Sequence, residues 1–308
     1  MKKPSHSAAS TEAGLDRMDG KQVVITGATS GIGRATALAL ASLGANILML
    51  SRNQKAGINL TRQIAASSPG VQSEFIEMDL SSLTQVRETV AKIRRRLTSV
   101  DILINNTGAR FDRYSVTADG CERTFATNHL GHFLLTGKLL EQLQAAPHAR
   151  VITVSSSASA QADNNDRWQF GAADFDRKQA YAKSKLANLV FAFELARRCS
   201  GTSISSLAVD PGIVATRFAR NNGVLPWLKH LIYHGRKGEL LNSARGADTL
   251  IYLASTAVIP GDSPEQYFRE RQLIRACPAA YDPAAAANLW ALSASLCGED
   301  PFRDRVKN

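Results

Sequence analysis

The segment Tyr181–Lys185 contains two side chains whose types and spacing could support acid–base chemistry. Tyr181 and Lys185 are four residues apart, and residues 186 to 196 contain no Gly or Pro, which predicts a buried helix. Residues four apart project from one face of a helix, so the phenol and the ammonium would share the same space. A free tyrosine has a pKa of about 10, and a nearby cation favours the phenolate. The pair therefore predicts a general acid/base for a hydroxyl or carbonyl group, although the same spacing also occurs on solvated helix faces.

Composition indicates an ordinary soluble globular protein. The chain has 308 residues, of which 44% are apolar and 21% charged, enough for one large α/β domain or two small ones. No run of eighteen apolar residues occurs, so no membrane span is predicted. The four scattered cysteines (Cys121, Cys199, Cys277 and Cys297) are typical of reduced thiols, which predicts a cytoplasmic protein.

The net charge of +10 could favour nucleic acid, an anionic membrane surface or an anionic cofactor. The one dense basic run, Arg94-Arg95-Arg96, ends a predicted helix that begins near Ser82, where it can face the negative helix end and remain solvated. No aromatic residues alternate with it. Nucleic-acid binding is therefore not expected.

A glycine-rich turn near the start of the chain predicts a phosphate-binding site. The β-branched run Val23-Val24-Ile25 leads into Thr26-Gly27-Ala28-Thr29-Ser30-Gly31-Ile32-Gly33, and a helical segment follows to Leu43. Glycines let the backbone approach a pyrophosphate, and the helix N-terminus supplies amide donors. A purely structural tight turn is the alternative.

The end of the second predicted strand, 46–50, favours NADP(H) over NAD. NAD enzymes place an acid about 20 residues beyond the glycines, for the ribose 2′-hydroxyl. This chain has Ser51-Arg52-Asn53 there, and Arg34 follows the glycine turn. Two guanidiniums suit a 2′-phosphate.

Strands and helices then alternate along the rest of the chain. Strands are predicted at 74–78, 101–104, 150–154 and 203–208, with a long helix from Cys121 to Leu143. This rhythm predicts a single-domain α/β fold of Rossmann type, a doubly wound parallel sheet with helices on both faces. The expected organisation is a disordered extension over 1–20, a catalytic domain over 21–298 and a polar tail over 299–308.

Residues 213–243 interrupt the alternation and are predicted to form a substrate lid. They include the apolar, aromatic stretch 225–234, which leaves peripheral membrane contact open. His230 and His234 are four residues apart, but no third ligand accompanies them, so no metal site is expected.

Together these features resemble the short-chain dehydrogenase/reductase family over nearly all of residues 21–298. The matching motifs are Thr26-Gly27-x-x-x-Gly31-x-Gly33, Asp79-Leu80, Asn105-Asn106-x-Gly108, Asn128, Val154-Ser155-Ser156, Tyr181-x-x-x-Lys185 and Pro211-Gly212. Residues 128–133, 183–188, Tyr267-Phe268 and Leu289-Trp290 are more narrowly similar to the retinol dehydrogenase-like branch.

The resemblance implies specific roles. Tyr181 would be the acid/base, Lys185 would lower its pKa and bind the nicotinamide ribose, and Ser156 would hydrogen-bond the substrate oxygen. Asn128 would hold a water in a proton relay. The residues expected at the cofactor are Gly27, Thr29, Ser30, Gly31, Ile32, Gly33, Arg34, Arg52, Asp79, Leu80, Asn106, Gly108, Tyr181, Lys185, Pro211, Gly212 and Thr216.

The leading hypothesis is an NADP(H)-dependent oxidoreductase acting on a carbonyl or alcohol of a bulky apolar small molecule, with a homodimer left open. An enone or C=C reductase and a non-catalytic NADP(H)-binding regulatory protein are the alternatives. The sequence departs from the family pattern at Thr107, usually alanine, at Asp210, where this branch often has histidine, and at Ser263-Pro264.

Overall fold

Strands and helices alternate through most of the described residues from Gln22 onward. The computed structural model describes residues 14–163, 165, 167–212, 214, 241–261, 263–303 and 306. The strands are β1 Gln22–Thr26, β2 Asn46–Ser51, β3 Ser73–Glu77, β4 Ile102–Asn105, β5 Ala149–Val154, β6 Ile204–Val209, β7 Gln266–Arg269 and β8 Gln272–Ile274. The helices are α1 Gly31–Ser42, α2 Gln54–Ser67, α3 Leu83–Arg94, α4 Arg123–Phe125, α5 Gly131–Lys138, α6 Leu140–Gln144, α7 Arg177–Arg198, α8 Ser243–Ser255 and α9 Pro283–Cys297.

The eight strands form one sheet in the order β3-β2-β1-β4-β5-β6-β7-β8. All neighbouring pairs are parallel except the last, β7 with β8. The strand order reverses between β1 and β4, and ligands of open α/β sheets bind outside the carboxyl ends of the strands at such a point. The predicted single Rossmann-like domain with a mostly parallel sheet is confirmed.

Apolar strands are buried on both faces because helices cover both. One core cluster joins the sheet to α3, α5, α7 and α9, and the other joins it to α1, α2 and α8. In the first cluster the aromatic rings of four residues pack together, with centroids 4.7–6.1 Å apart: Phe133, Phe191, Trp290 and Phe302. This packing fixes α7, and with it Tyr181, against the sheet.

The folded domain extends past the predicted boundaries at both ends. Met18 is buried and its amide donates to the carbonyl of Leu43, so the described part of the N-terminal extension packs on the domain. At the other end Phe302 is 1% exposed within the aromatic cluster. Glu299 accepts hydrogen bonds from Lys138 and Arg87. The sequence did not predict these contacts, because the N-terminal extension and the C-terminal tail are both polar on average.

The predicted long helix over 121–143 is interrupted. Residues Ala126–Leu130 form a π-helical turn between α4 and α5, and α6 follows after a further break. Gly131 ends the π turn where a Cβ atom would lie 2.3 Å from the Leu80 carbonyl oxygen. Such turns are often found at functional sites, and here the turn contains Asn128.

Candidate active site

The carboxyl ends of β1, β2, β4, β5 and β6 surround a cleft of about 1210 Å³. The predicted site residues that line it are Gly27, Thr29, Ser30, Gly31, Ile32, Gly33, Arg52, Asp79, Leu80, Asn106, Gly108, Ser156, Tyr181, Lys185, Pro211 and Gly212. Arg34 and Asn128 are not among the lining residues. Thr216, His230, His234 and almost all of the predicted lid lie outside the described residues.

The glycine turn after β1 is shaped for a close backbone approach. Gly27 and Gly31 have φ angles of +68° and +53°, which favour glycine. A Cβ atom on Gly33 would lie 2.4 Å from the Gly27 carbonyl oxygen and 2.6 Å from Asn106 Nδ2. The side-chain amide of Asn106 also donates to the carbonyl of Thr26 at 2.8 Å. This cradle and the first-turn amides of α1 fit a pyrophosphate.

Strand β2 ends in a polar residue, Ser51, and none of its residues carries a carboxylate. This end of β2, where the adenine ribose of a dinucleotide is expected, is called the ribose corner below. Ser51 Oγ is 2.8 Å from Thr29 Oγ1, and Arg52 lies 3.9 Å from the Asp79 carboxylate. Arg34 instead donates to Gln63 Oε1 on α2. The structure therefore brings one of the two predicted arginines into the cleft.

Tyr181 lies in the second turn of α7, which begins at Arg177. Asp176 caps the helix by accepting from the amides of Lys178 and Gln179 at 2.7 and 2.8 Å. The Tyr181 phenol is hydrogen-bonded to the Ser156 side chain. Ser156 Oγ in turn accepts from the Ala158 amide at 3.2 Å, which orients the serine.

The electrostatics of this tyrosine differ from the expectation. Burial raises the pKa of Tyr181 to about 12, and its hydrogen bond with Ser156 acts in the opposite direction. The negative charge of Asp210 also raises this pKa, whereas the positive charge of Arg110 lowers it. Lys185 Nζ is 5.9 Å from the Tyr181 ring centroid and donates to the Val154 carbonyl at 3.0 Å. Lys185 is not among the groups that shift the Tyr181 pKa here, and its ammonium points at a carbonyl, so its expected lowering of that pKa stays a prediction.

Lys185 is itself a buried cation. Burial lowers its pKa to about 8, and the Asp210 carboxylate opposes that effect. Asp210 is 2% exposed, accepts from the Gly212 amide at 3.0 Å and lies 3.7 Å from Arg269. The carboxylate thus orders the Pro211–Gly212 turn while stabilising the charged lysine.

Asn128 lies behind the cleft wall. Its amide donates to the Ala109 carbonyl at 2.8 Å and to Ser184 Oγ at 2.9 Å, and its oxygen accepts from the Ala109 amide at 2.7 Å. Its backbone carbonyl accepts from His132 Nδ1. The side chain therefore ties the loop after β4 to α7, and the expected role of Asn128 in holding a water stays a prediction.

Sequence reasoning missed cleft residues that belong to no motif. Arg110, Gln161 and Lys178 line the cleft, and Arg110 acts on the Tyr181 phenol. The only signal for Arg110 was its place two residues after Gly108. Of the three serines after β5, Ser155 is buried and donates to the backbone carbonyl of Lys185 at 2.7 Å, which leaves Ser156 at the phenol.

The glycine turn lies where the strand order of the doubly wound sheet reverses, and Ser156, Tyr181 and Lys185 line the same cleft. This arrangement defines the class of dinucleotide-dependent oxidoreductases. A family model described as short chain dehydrogenase matches residues 21–224. Human retinol dehydrogenase 14 is 37% identical over 294 residues, covering 91% of this chain and 87% of that protein. The chain belongs to the short-chain dehydrogenase family and is retinol dehydrogenase-like within it. This membership implies a nicotinamide cofactor.

Two further comparisons agree. A Streptomyces sp. (strain C5) protein provisionally named daunorubicin C-13 ketoreductase DnrU is 34% identical over 290 residues, covering 92% of this chain and 94% of its own. The crystal structure of an uncharacterized Mycobacterium paratuberculosis protein superposes with a TM-score of 0.72 at 33% identity, covering 93% of this chain and 96% of that one. None of the helices in the described part of the chain is long and apolar enough to cross a bilayer.

Proposed function

We propose that this protein is an NADP(H)-dependent oxidoreductase that transfers hydride between the nicotinamide and a carbonyl or alcohol carbon of a bulky apolar substrate. The observation that carries the proposal is the hydrogen-bonded Ser156–Tyr181 pair, with Lys185 one turn further along α7. All three line the same cleft as the glycine cradle.

The proposed preference for NADP(H) over NAD(H) rests on the residues at the ribose corner. Arg52 lines the cleft where an NAD enzyme would place an acid, and β2 ends in Ser51. A guanidinium can bind a 2′-phosphate through two parallel hydrogen bonds. The neighbouring carboxylate, Asp79, already faces Arg52 at 3.9 Å, so it offers less repulsion to an added phosphate than an isolated acid would.

In the reductive direction the carbonyl carbon gains a hydride and the carbonyl oxygen gains a proton. When bound, the reduced nicotinamide supplies a hydride to the carbonyl carbon. The Ser156 hydroxyl donates a hydrogen bond to the carbonyl oxygen, and Tyr181 transfers its phenolic proton to that oxygen, which gives the alcohol. A phenol whose pKa burial raises to about 12 is held protonated, as a proton donor must be. In the reverse direction the deprotonated phenol takes the alcohol proton.

The proposal of a bulky apolar substrate rests on the sequence and on the names of two relatives. The stretch 225–234 is apolar and aromatic and follows the Pro211–Gly212 turn at the cleft. Two relatives carry names that refer to retinol and to daunorubicin, both large molecules with extended apolar parts.

We also propose a cytoplasmic location, which the four unpaired cysteines support. A homodimer and peripheral membrane contact stay predictions.

The test is NADPH oxidation against a panel of bulky ketones, aldehydes and enones, with products identified by mass spectrometry and NMR. Formation of alcohols from ketones or aldehydes supports the proposal. Saturated carbonyl products from the enones would indicate C=C reduction instead. Tight NADPH binding without oxidation by any member would favour a binding protein.

A further inference from the structure

A buried histidine, His132, lies between the glycine turn and the π turn. It is the second residue of α5 and is 1% exposed. Its Nε2 atom is 2.9 Å from the Thr26 hydroxyl, and its Nδ1 atom is 2.9 Å from the backbone carbonyl oxygen of Asn128. Thr26 is the last residue of β1 and directly precedes Gly27 of the glycine turn. The proposed reaction gives this histidine no role.

The two hydrogen bonds of the His132 ring define its protonation state. A carbonyl oxygen can only accept, so Nδ1 carries a proton that it donates to Asn128. In the neutral ring Nε2 is then an acceptor, and the Thr26 hydroxyl donates to it. Burial lowers the pKa of His132 to about 4, and the positive charge of Lys185 acts in the same direction. His129 on the π turn is a second titratable neighbour. The ring is therefore neutral at neutral pH.

The Thr26 oxygen is fully used in this arrangement. It accepts from the backbone amides of Asn106 and Thr107 at 2.9 and 3.0 Å, and a hydroxyl oxygen has two lone pairs. Its one proton goes to His132, because the competing carbonyl oxygen of Ile104 is further away, at 3.4 Å. An imidazolium would direct an Nε2–H at an oxygen with no lone pair left. The neutral histidine therefore orients the hydroxyl that holds the two amides.

The segment 106–109, which these bonds hold, forms part of the cleft wall through its first three residues. Its first two amides are bound by the Thr26 hydroxyl. At its other end the amide and the carbonyl of Ala109 bond to the Asn128 side chain at 2.7 and 2.8 Å. His132 bonds to Thr26 and to the backbone of Asn128, so it contacts the partner of each end of the segment.

We infer that His132 is a positioning residue for the nicotinamide cofactor, which through Thr26 and Asn128 fixes segment 106–109 beside the glycine turn. It acts through these residues and does not itself line the cleft. The inference rests on the proposed dinucleotide site and not on the identity of the substrate. Because none of these bonds involves Arg52, the binding of NADPH and of NADH should depend on His132 alike.

The matched control is a neighbouring buried histidine, His129. It is also 1% exposed, but its Nε2 atom is 2.9 Å from Ser293 Oγ on α9, and its ring packs on Phe191 of the aromatic core. His132→Leu and His129→Leu should each lower the free energy of unfolding in urea. In calorimetry His132→Leu should raise the dissociation constants of NADPH and NADH about fivefold or more, the effect of losing one buried hydrogen bond. His129→Leu should change them by less than about twofold.

Two further variants assign the effect to the bond between His132 and Thr26. His132→Gln keeps an acceptor, its Oε1 atom, that can take the place of Nε2 opposite the Thr26 hydroxyl, so it should recover part of the affinity. Thr26→Val removes the hydroxyl with little change in shape and should weaken binding at least as much as His132→Leu. In the Thr26→Val background, His132→Leu should raise the dissociation constants by a smaller factor than it does in the wild type, because the shared bond is already lost.

The ring of His132 can also be observed in the unmodified protein. At about pH 6 a histidine with the ordinary pKa of about 6.5 is mostly protonated. A two-bond ¹H–¹⁵N spectrum of the labelled, cofactor-free protein should instead show His132 neutral and protonated on Nδ1. Its resonances are assigned by their loss in His132→Gln. This reading keeps the inference falsifiable if the His132→Leu protein does not fold.

An imidazolium or an Nε2–H tautomer of His132 at about pH 6 would overturn the inference. Unchanged dinucleotide affinity in His132→Leu would do the same, as would equal losses of affinity in His132→Leu and His129→Leu. Independent, multiplying losses in the cycle with Thr26→Val would also count against it. Each of these results leaves the proposed function standing, because hydride transfer is measured separately by turnover of the carbonyl panel.

Discussion

Replacing Arg52 by alanine should remove most of the protein's preference for NADPH over NADH. The Arg52 side chain is 50% exposed and its nearest carboxylate, on Asp79, is 3.9 Å away. A hydrogen bond to a charged group contributes about 1.5–3 kcal/mol, and solvent at a half-exposed site favours the lower value. About 1.4 kcal/mol corresponds to tenfold in affinity. The dissociation constant of NADPH should therefore rise about tenfold, with that of NADH nearly unchanged.

The assay is a titration of both cofactors by calorimetry at two salt concentrations. Arg34→Ala is the matched control, since Arg34 bonds to Gln63 and does not line the cleft. Ser51→Asp should shift the preference toward NADH by restoring an acid at the end of β2. Equal affinity of the wild type for both cofactors would refute the reasoning, as would a larger loss in Arg34→Ala than in Arg52→Ala.

Three further substitutions test the site and its support. Gly33→Ala should weaken cofactor binding at least tenfold in the same titration, since its Cβ would lie 2.4 Å from the Gly27 carbonyl oxygen; unchanged affinity would show that the turn can yield. Phe302→Ala should lower the free energy of unfolding by about 3 kcal/mol in urea, because the ring is buried 4.7 Å from that of Trp290; a loss well below 1 kcal/mol would place the C-terminal segment outside the core. Lys185→Met should raise the stability of the cofactor-free protein at pH 7, because burial lowers the lysine's pKa to about 8. The unfolded chain then binds more protons between pH 8 and about 10.5, so the gain should shrink across that range; a gain independent of pH would contradict the assigned pKa direction.

The sheet and the glycine turn could be predicted because their signals are local. Buried parallel strands are short apolar runs, and β2 and β5 end at serines that line the cleft. Strand β7 was missed because Gln266–Arg269 has only two apolar residues and follows a Pro- and Gly-containing loop. The π turn at Asn128 was missed because no local pattern marks it, and the bonds of Asn128 go to Ala109 and Ser184, which are distant in sequence.

The electrostatics of the site depend on packing that spacing alone does not specify. The four-residue interval placed Tyr181 and Lys185 near each other, but it carried no information on their burial, which dominates the pKa of each. Nor did it indicate that Lys185 would point at the Val154 carbonyl. The charges of Arg110 and Asp210 act on the phenol from loops after β4 and β6, so their influence follows from the strand order of the sheet.

The central claim is that Tyr181 transfers the proton in a hydride-transfer reaction. The most direct measurement is NADPH oxidation with the best carbonyl substrate of the panel, in wild type and Tyr181→Phe, alongside the dissociation constant of NADPH for each. We predict that the substitution lowers turnover by at least about 10²-fold, typical of a positioned general acid, while the affinity for NADPH stays within about twofold. Wild-type turnover by Tyr181→Phe would contradict the account.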